Sequence, residues 1–535
     1  MRGGNINRHY SPDALSQVWL VWLSHKGRTS DVSSFQIYKM TNNLFATKSV
    51  EKLISESEGG EHGLKRTLTA TNLTMLGVGA IIGAGIFVLT GTAAANAAGP
   101  AIVISFLIAG LGCLFAGMCY AEFASMLPVA GSAYTYGYAT LGEFIAWIIG
   151  WDLILEYLFG AATVAVGWSG NFVSLLGSLG ITVPAAIAAA PLAYDGSSFE
   201  ATGALINLPA VVLILVMTGL LVVGIQESAK FNNIIVVVKV VIVLLVIGFG
   251  FEYVDSANWE PFIPGKEILT DGSTRYGWKG VVAGAAIVFF SYIGFDAVST
   301  AAQEAKNPQR DMPIGMLASL GVCTVLYILM SLVLTGIVPY ESLNVPDPVL
   351  VALAAAGPGL KWLYFLTGVG AVAGLASVVL VMLMAQPRIF YSMSRDGLLP
   401  ALFGKVHPKF NTPYVPTIIT GVVAAIVAGI FPIGLLGELV SIGTLLAFVI
   451  VCAGIIVLRR TSPNLKRPFR TPFVPLVPVL GILICGYMMV NLGVDTWLRL
   501  IAWMAIGVAI YFLYGRKHSK LQQQPEPEQP KVMVG

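Results

Sequence analysis

Charge is what this sequence has least of. Only 11% of its 535 residues are Asp, Glu, Lys or Arg, where an ordinary soluble domain carries about 25%, and 56% are hydrophobic. A mean hydropathy of +0.79 completes the profile of an integral membrane protein. Histidine and cysteine are scarce as well, at five each. His9, His25, His62, His407 and His518 all lie outside the apolar segments, so metalloprotease or haem chemistry at membrane depth lacks its ligands. Cys113, Cys119, Cys323, Cys452 and Cys485 lie inside those segments without C-x-x-C spacing. They read as small buried apolar residues, not as a disulfide framework or metal cluster. No Ser–His arrangement suggests an enzyme, no basic stripe interleaved with aromatics suggests nucleic acid, and no cofactor motif is visible.

What the chain has instead is apolar length. A helical span needs about 20 apolar residues, and about twelve can be placed, near 73–95, 99–126, 144–176, 205–225, 232–252, 280–303, 314–338, 361–394, 416–431, 436–458, 476–492 and 497–515, the ninth short and the eleventh interrupted early by Pro475 and Pro478. The expected class is therefore an all-α membrane protein. Lys and Arg are unevenly shared between the connections. Lys65, Arg66, Lys230, Lys306, Arg310, Arg395 and the clusters at 459–470 and 516–520 fall on one side; Lys266, Arg275, Lys279, Lys361 and Arg499 fall on the other. Basic loops stay inside, so both termini are expected in the cytoplasm, which an even number of spans requires.

Residues 1–63 are expected to form a cytoplasmic N-terminal segment, 64–518 the membrane domain, and 519–535 a disordered tail rich in Gln, Glu and Pro. Residues 1–39 lack the apolar stretch and cleavage site of a secretory signal. Met40 is a candidate start, and a disordered native tail is the alternative. The connections 177–204 and 253–279 are long, and 395–415 begins amphipathically.

Two of the apolar segments are interrupted by glycine: Gly79–Phe87 in the first, with Gly83 and Gly85, and Phe289–Asp296 in the sixth, with Gly294. Backbone cannot leave N–H and C=O groups unpaired in lipid, so such breaks persist where a cavity or solute uses them. They are five spans apart. An odd number of crossings inverts the second copy, which predicts two five-helix repeats of opposite topology with the breaks side by side, although the halves share no convincing sequence identity. The half-helix resuming near Ala84 would offer N–H groups of Gly83, Ala84 and Gly85 to an anion. Carbonyls near Ile81, Phe290 and Ile293 would offer partial negative charge, and together the two suit a zwitterion. Close helix packing through Gly79 and Gly83 is the competing account of the first break. A phosphate loop is excluded, because no Gly-Lys-Ser/Thr follows and no strand precedes.

Phe289, Phe290, Tyr292 and Phe295 read either as a gate or as core. Ionisable residues at membrane depth are functional candidates: Asp152 and Glu156 one turn apart in the third span, Lys239 in the fifth, and Glu122 near the end of the second, the last read as structural. Lys239 has two readings, a coupling proton carrier or a static ion pair with Glu156 or Asp152.

The stretches Gly79–Phe87 with Leu89-Thr90-Gly91, Tyr120–Phe123 with Pro128–Tyr136, and Gly150–Tyr157 resemble the amino acid–polyamine–organocation superfamily. Tyr292–Thr300, Glu304, Asn307–Gly315 and Ser394–Gly397 resemble its bacterial cationic amino acid transporter branch, and the likeness covers roughly residues 64–518. The resemblance implies a five-plus-five inverted-repeat permease with broken helices 1 and 6 and two added C-terminal helices. It places the substrate carboxylate at Gly83, Ala84 and Gly85, the amine at Ile81, Phe290 and Ile293, and Met382 in the pocket wall. It also places Lys239 where sodium-coupled relatives hold an ion, which favours proton as the coupling ion, with Glu156 as a further candidate for coupling. The expected activity is proton-coupled import of small neutral L-amino acids by alternating access, across a bacterial cell membrane. Transport or exchange of cationic amino acids or polyamines, and a transport-inactive amino acid sensor, are the alternatives.

Overall fold

The computed structural model describes residues 43–49, 53, 66 and 68–523, apart from 130, 195–197, 224–225, 269–273, 346 and 411. The expectations for residues 1–39, Met40 and 524–535 lie outside the described residues. Of the tail expected over 519–535, Ser519 and Gln522 are buried.

Eight helical runs among the described residues are long and apolar enough to cross a membrane, and the first, Ala70–Met126, is 57 residues. A straight helix of that length would reach roughly 85 Å, about three times the hydrocarbon core, so the chain must fold back within it. It does so at Gly99, whose φ of +61° only glycine adopts readily, followed by Pro100. This run holds span 1 (Ala70–Ile81, then 85–98) and span 2 (Ile102–Met126). Span 3 is Glu143–Ser178, span 6 Gly277–Thr300, span 7 Pro308–Ile337, span 10 Ile433–Thr461 and span 12 Val494–His518. Span 5 is Gln226–Gly250 and span 8 Lys361–Arg395. The shorter helices Leu208–Val223, Tyr414–Ile430 and Leu476–Val490 are spans 4, 9 and 11, which brings the total among the described residues to twelve.

Local chemistry sets the helix ends. Thr69 caps span 1 in a reciprocal pair with Asn72, and Pro308 opens span 7, where its missing N–H is not needed. Packing then repeats with a period of five: span 2 lies along span 7, span 3 along span 8, span 4 along span 9, and the broken middles of spans 1 and 6 touch. Five is odd, so each partner runs in the inverted sense. This is an all-α, five-plus-five inverted-repeat membrane fold.

Some elements have no counterpart among the predicted spans. A buried helix, Ser132–Thr140, joins spans 2 and 3, and another, Pro348–Ala355, joins spans 7 and 8. Two small antiparallel hairpins, Leu192–Tyr194 with Phe199–Ala201 and Glu267–Ile268 with Thr274–Arg275, occupy the long connections 177–204 and 253–279.

Candidate binding site at the broken helices

In span 1 the helical ladder ends with Ile82 N–H donating to Val78 O (2.9 Å) and resumes with Phe87 N–H to Gly83 O (3.3 Å). Ile82 itself is extended, at φ −72° and ψ 97°. The N–H groups of Gly83, Ala84 and Gly85 therefore fall outside the ladder at the start of a new half-helix, where the peptide dipoles favour negative charge. Span 6 breaks after Phe290–Tyr292: Ile293 is extended (φ −60°, ψ 136°) and Gly294 takes φ +114°. A Cβ on Gly294 would lie 2.8 Å from that of Ala80, so span 6 crosses span 1 at a distance only glycine permits.

Between the breaks lies a small cavity. Ile81, Gly83, Ala84, Gly85, Phe290, Ile293 and Met382, the seven residues expected for substrate, all line it, joined by Ala80, Gly160, Val164 and Val378. Its open volume is about 10 Å³, room for no more than a single water molecule. The walls are therefore nearly in contact across it. Every lining side chain is apolar, and polar recognition falls to the backbone.

The glycines divide their roles. Gly79 serves helix packing, since a Cβ there would meet Val236 at 2.8 Å and Asn232 at 3.1 Å. Gly83 faces Val378 of span 8, and Gly85 lies against Ser291 at the second break. The four aromatics of span 6 divide as well. Phe290 alone lines the cavity; Phe289 and Phe295 pack edgewise or tilted on Phe448, and Tyr292 packs on Phe106 and Tyr327. Three of the four are core.

Lys239 is fully buried, and its Nζ donates to Gly79 O and Ile82 O (both 2.8 Å), to Ser377 Oγ (3.1 Å) and, more distantly, to Gly374 O (3.5 Å). The expected alternative, an ion pair with Glu156 or Asp152, does not form. Backbone carbonyls at the negative end of the first half-helix outcompete a side-chain carboxylate, and three donors meet three close acceptors. Glu156 lies apart from Lys239, one turn before Gly160 on span 3, near Asp296. Glu122 is held by Arg459 through two 2.8 Å contacts and by Arg467 at 3.2 Å, as a structural residue would be.

Sequence reading missed Tyr327. Its hydroxyl lies 2.7 Å from both Ile81 O and Ser291 O, straddling the two breaks. One hydroxyl proton serves one carbonyl at a time, so the other remains an available acceptor beside the cavity. A tyrosine amid the apolar run of span 7 was the only signal. Ser377 and Gly374, which receive the Lys239 ammonium, carried none.

The amino acid permease family profile matches residues 68–511. The methylthioribose transporter of Bacillus subtilis strain 168 is 49% identical over 90% of this chain and 100% of its own length. The branched-chain amino acid permease BcaP of the same organism is 50% identical with the same coverage. The vacuolar cationic amino acid transporter 4 of Arabidopsis thaliana is 33% identical over 90% of this chain and 96% of its own. Broken helices, inverted repeat and sequence thus agree: the chain is a multi-pass membrane protein that belongs to the amino acid permease family.

Proposed function

We propose that the protein imports small neutral L-amino acids, branched-chain ones among them, coupled to protons across a bacterial cell membrane, with both termini in the cytoplasm. The observation that carries this reading is the cavity wall. Backbone groups at Gly83–Gly85 and at Ile81, Phe290 and Ile293 suit the carboxylate and amine, while Val164, Val378, Phe290 and Met382 leave a purely apolar place for the substrate side chain. A cationic side chain would need a carboxylate there, and a sugar would need side-chain partners for its hydroxyls; neither lines the cavity. Proton coupling is supported by Lys239. Its ammonium holds the carbonyls of the first break as a bound cation would, and loss of its proton would leave at least one of Gly79 O, Ile82 O and Ser377 Oγ without a donor.

The test is uptake into proteoliposomes of labelled valine, leucine, alanine, lysine and methylthioribose, under imposed proton or sodium gradients. Neutral amino acids should enter faster with an inward proton gradient and indifferently to sodium. Uptake of lysine or methylthioribose alone would overturn the substrate assignment. Lys239→Met should abolish the response to the gradient, and a response equal to that of the parent protein would remove Lys239 as the coupling group.

A further inference from the structure

Beside the second break, buried polar groups from four spans converge without satisfying one another. Glu156 of span 3, Tyr120 of span 2 and Thr444 of span 10 are each fully buried. Neither carboxylate oxygen of Glu156, nor the hydroxyl of Tyr120 or Thr444, has a hydrogen-bond partner. Tyr120 and Thr444 face the carboxyl pair that Glu156 forms with Asp296 of span 6. Asp296 is different: it accepts from the Tyr157 hydroxyl and, at 3.2 Å, from Gly294 N–H.

The titratable groups facing the pair are Asp152 and Tyr157 from span 3, Tyr120 and Cys113 from span 2, and Tyr136 from the helix Ser132–Thr140. None is cationic, and among the described residues neither carboxylate forms an ion pair. Two adjacent carboxylates cannot both stay charged in a dry site without a cation. Donors decide which one keeps the charge. Asp296 has two closed hydrogen bonds, whereas Glu156 has only the Thr444 hydroxyl nearby without a closed bond, and unsatisfied buried polar groups mark ordered water.

We infer that Glu156 and Asp296 form a proton-binding site holding one proton, carried by Glu156, with water completing the bonds of Tyr120 and Thr444. The site joins span 3 to the broken span 6, one turn from Gly160 on one side and three residues from Ile293 on the other. Proton loss would set two anions against each other across that contact and loosen span 6 from span 3. This goes beyond the Lys239 reading and stands without it.

Infrared difference spectroscopy of the full-length protein in lipid, between acidic and alkaline pH, tests the site directly. The parent protein should show a protonated-carboxyl C=O band that titrates with pH. Glu156→Gln should remove that titrating component, and Asp152→Asn should keep it. Asp296→Asn takes away the neighbouring carboxylate, so the midpoint should shift; a side chain with a merely structural role would not produce that shift. The inference is overturned if the parent protein lacks the band, if Asp152→Asn loses it, or if the midpoint is unmoved in Asp296→Asn. None of these readings needs Glu156→Gln to fold. A parent protein that shows the band but ignores a proton gradient in uptake would overturn the coupling proposal and leave this one standing.

Discussion

Gly85 is the residue at which recognition and packing coincide. It opens the second half of span 1, and a side chain there would fall on Ser291 at the second break. Gly85→Leu should therefore both wedge the two breaks apart and cover the carboxylate site. The check is thermal: substrate at 100 times its Kd stabilises a competent protein by about 2.7 kcal/mol, and the variant should gain no stabilisation at the same concentration. An undiminished gain would return Gly85 to packing alone. Gly374→Ala makes a complementary prediction, because the new Cβ would sit 2.5 Å from Cδ of Lys239. It should weaken the response of uptake to a proton gradient in the same direction as Lys239→Met, although it leaves the lysine in place. These residues also show what was legible in the sequence. Glycines in an apolar run mark a broken helix, so the backbone side of the cavity could be named from Gly83, Gly85 and Gly294. The partners of Lys239 could not, because a carbonyl acceptor has no side-chain signature and any residue can supply one.

Between elements, the end of span 6 is where the two broken spans meet span 8. Leu68, just before span 1, pairs with the chain leaving span 6: Leu68 N–H donates to Glu304 O (2.9 Å) and Lys306 N–H to Leu68 O (2.8 Å). The two broken spans are thus tied to each other on this face. They are tied to span 8 by Arg388, whose Nη2 lies 2.6 Å from Glu304 Oε1, with side chains 8% and 17% exposed. Opening the cavity toward this face has to separate that pair. Glu304→Gln should raise hydrogen exchange over 297–305 and bias the protein toward opening on this side, since removing one member of a buried pair costs about 3–5 kcal/mol. The exchanged pair Glu304→Arg with Arg388→Glu should recover part of the loss, and a double-mutant cycle with no coupling would show that the two act independently. The sequence drew attention to Glu304 only through a family likeness. Its partner lies 84 residues away, in a span whose local pattern is simply apolar.

For the whole molecule, the five-span period was readable from where the breaks fall, without any sequence identity between the halves, because inversion follows from counting crossings. The closure of the face that carries residues 43–49 and 515–523 was not readable, because it is built from widely separated polar residues. Its centre is Glu143, at the first turn of span 3 and fully buried. Its carboxylate accepts from Tyr138 and Tyr511 (both 2.9 Å) and from Ser519. Around it, Glu143 N–H donates to Ala46 O (3.0 Å), Lys48 Nζ pairs with Asp396 (2.8 Å), and Gln522 Nε2 reaches Asn43 O (2.9 Å). Span 3, the end of span 8, the end of span 12 and the segment before span 1 therefore meet through one carboxylate and its neighbours. Glu143→Ala would remove a shared acceptor from three hydroxyls, and each unsatisfied buried donor costs about 1–3 kcal/mol. Even with water relieving two of them, the variant should unfold about 1–3 kcal/mol more easily. Glu143→Gln, which keeps an acceptor oxygen, should lose clearly less. Unfolding followed through Trp147, whose ring lies 5.8 Å from that of Tyr511, reads the region itself. If Glu143→Ala and the parent protein melt together, the spans are held by apolar packing alone, and the carboxylate only occupies the space between them.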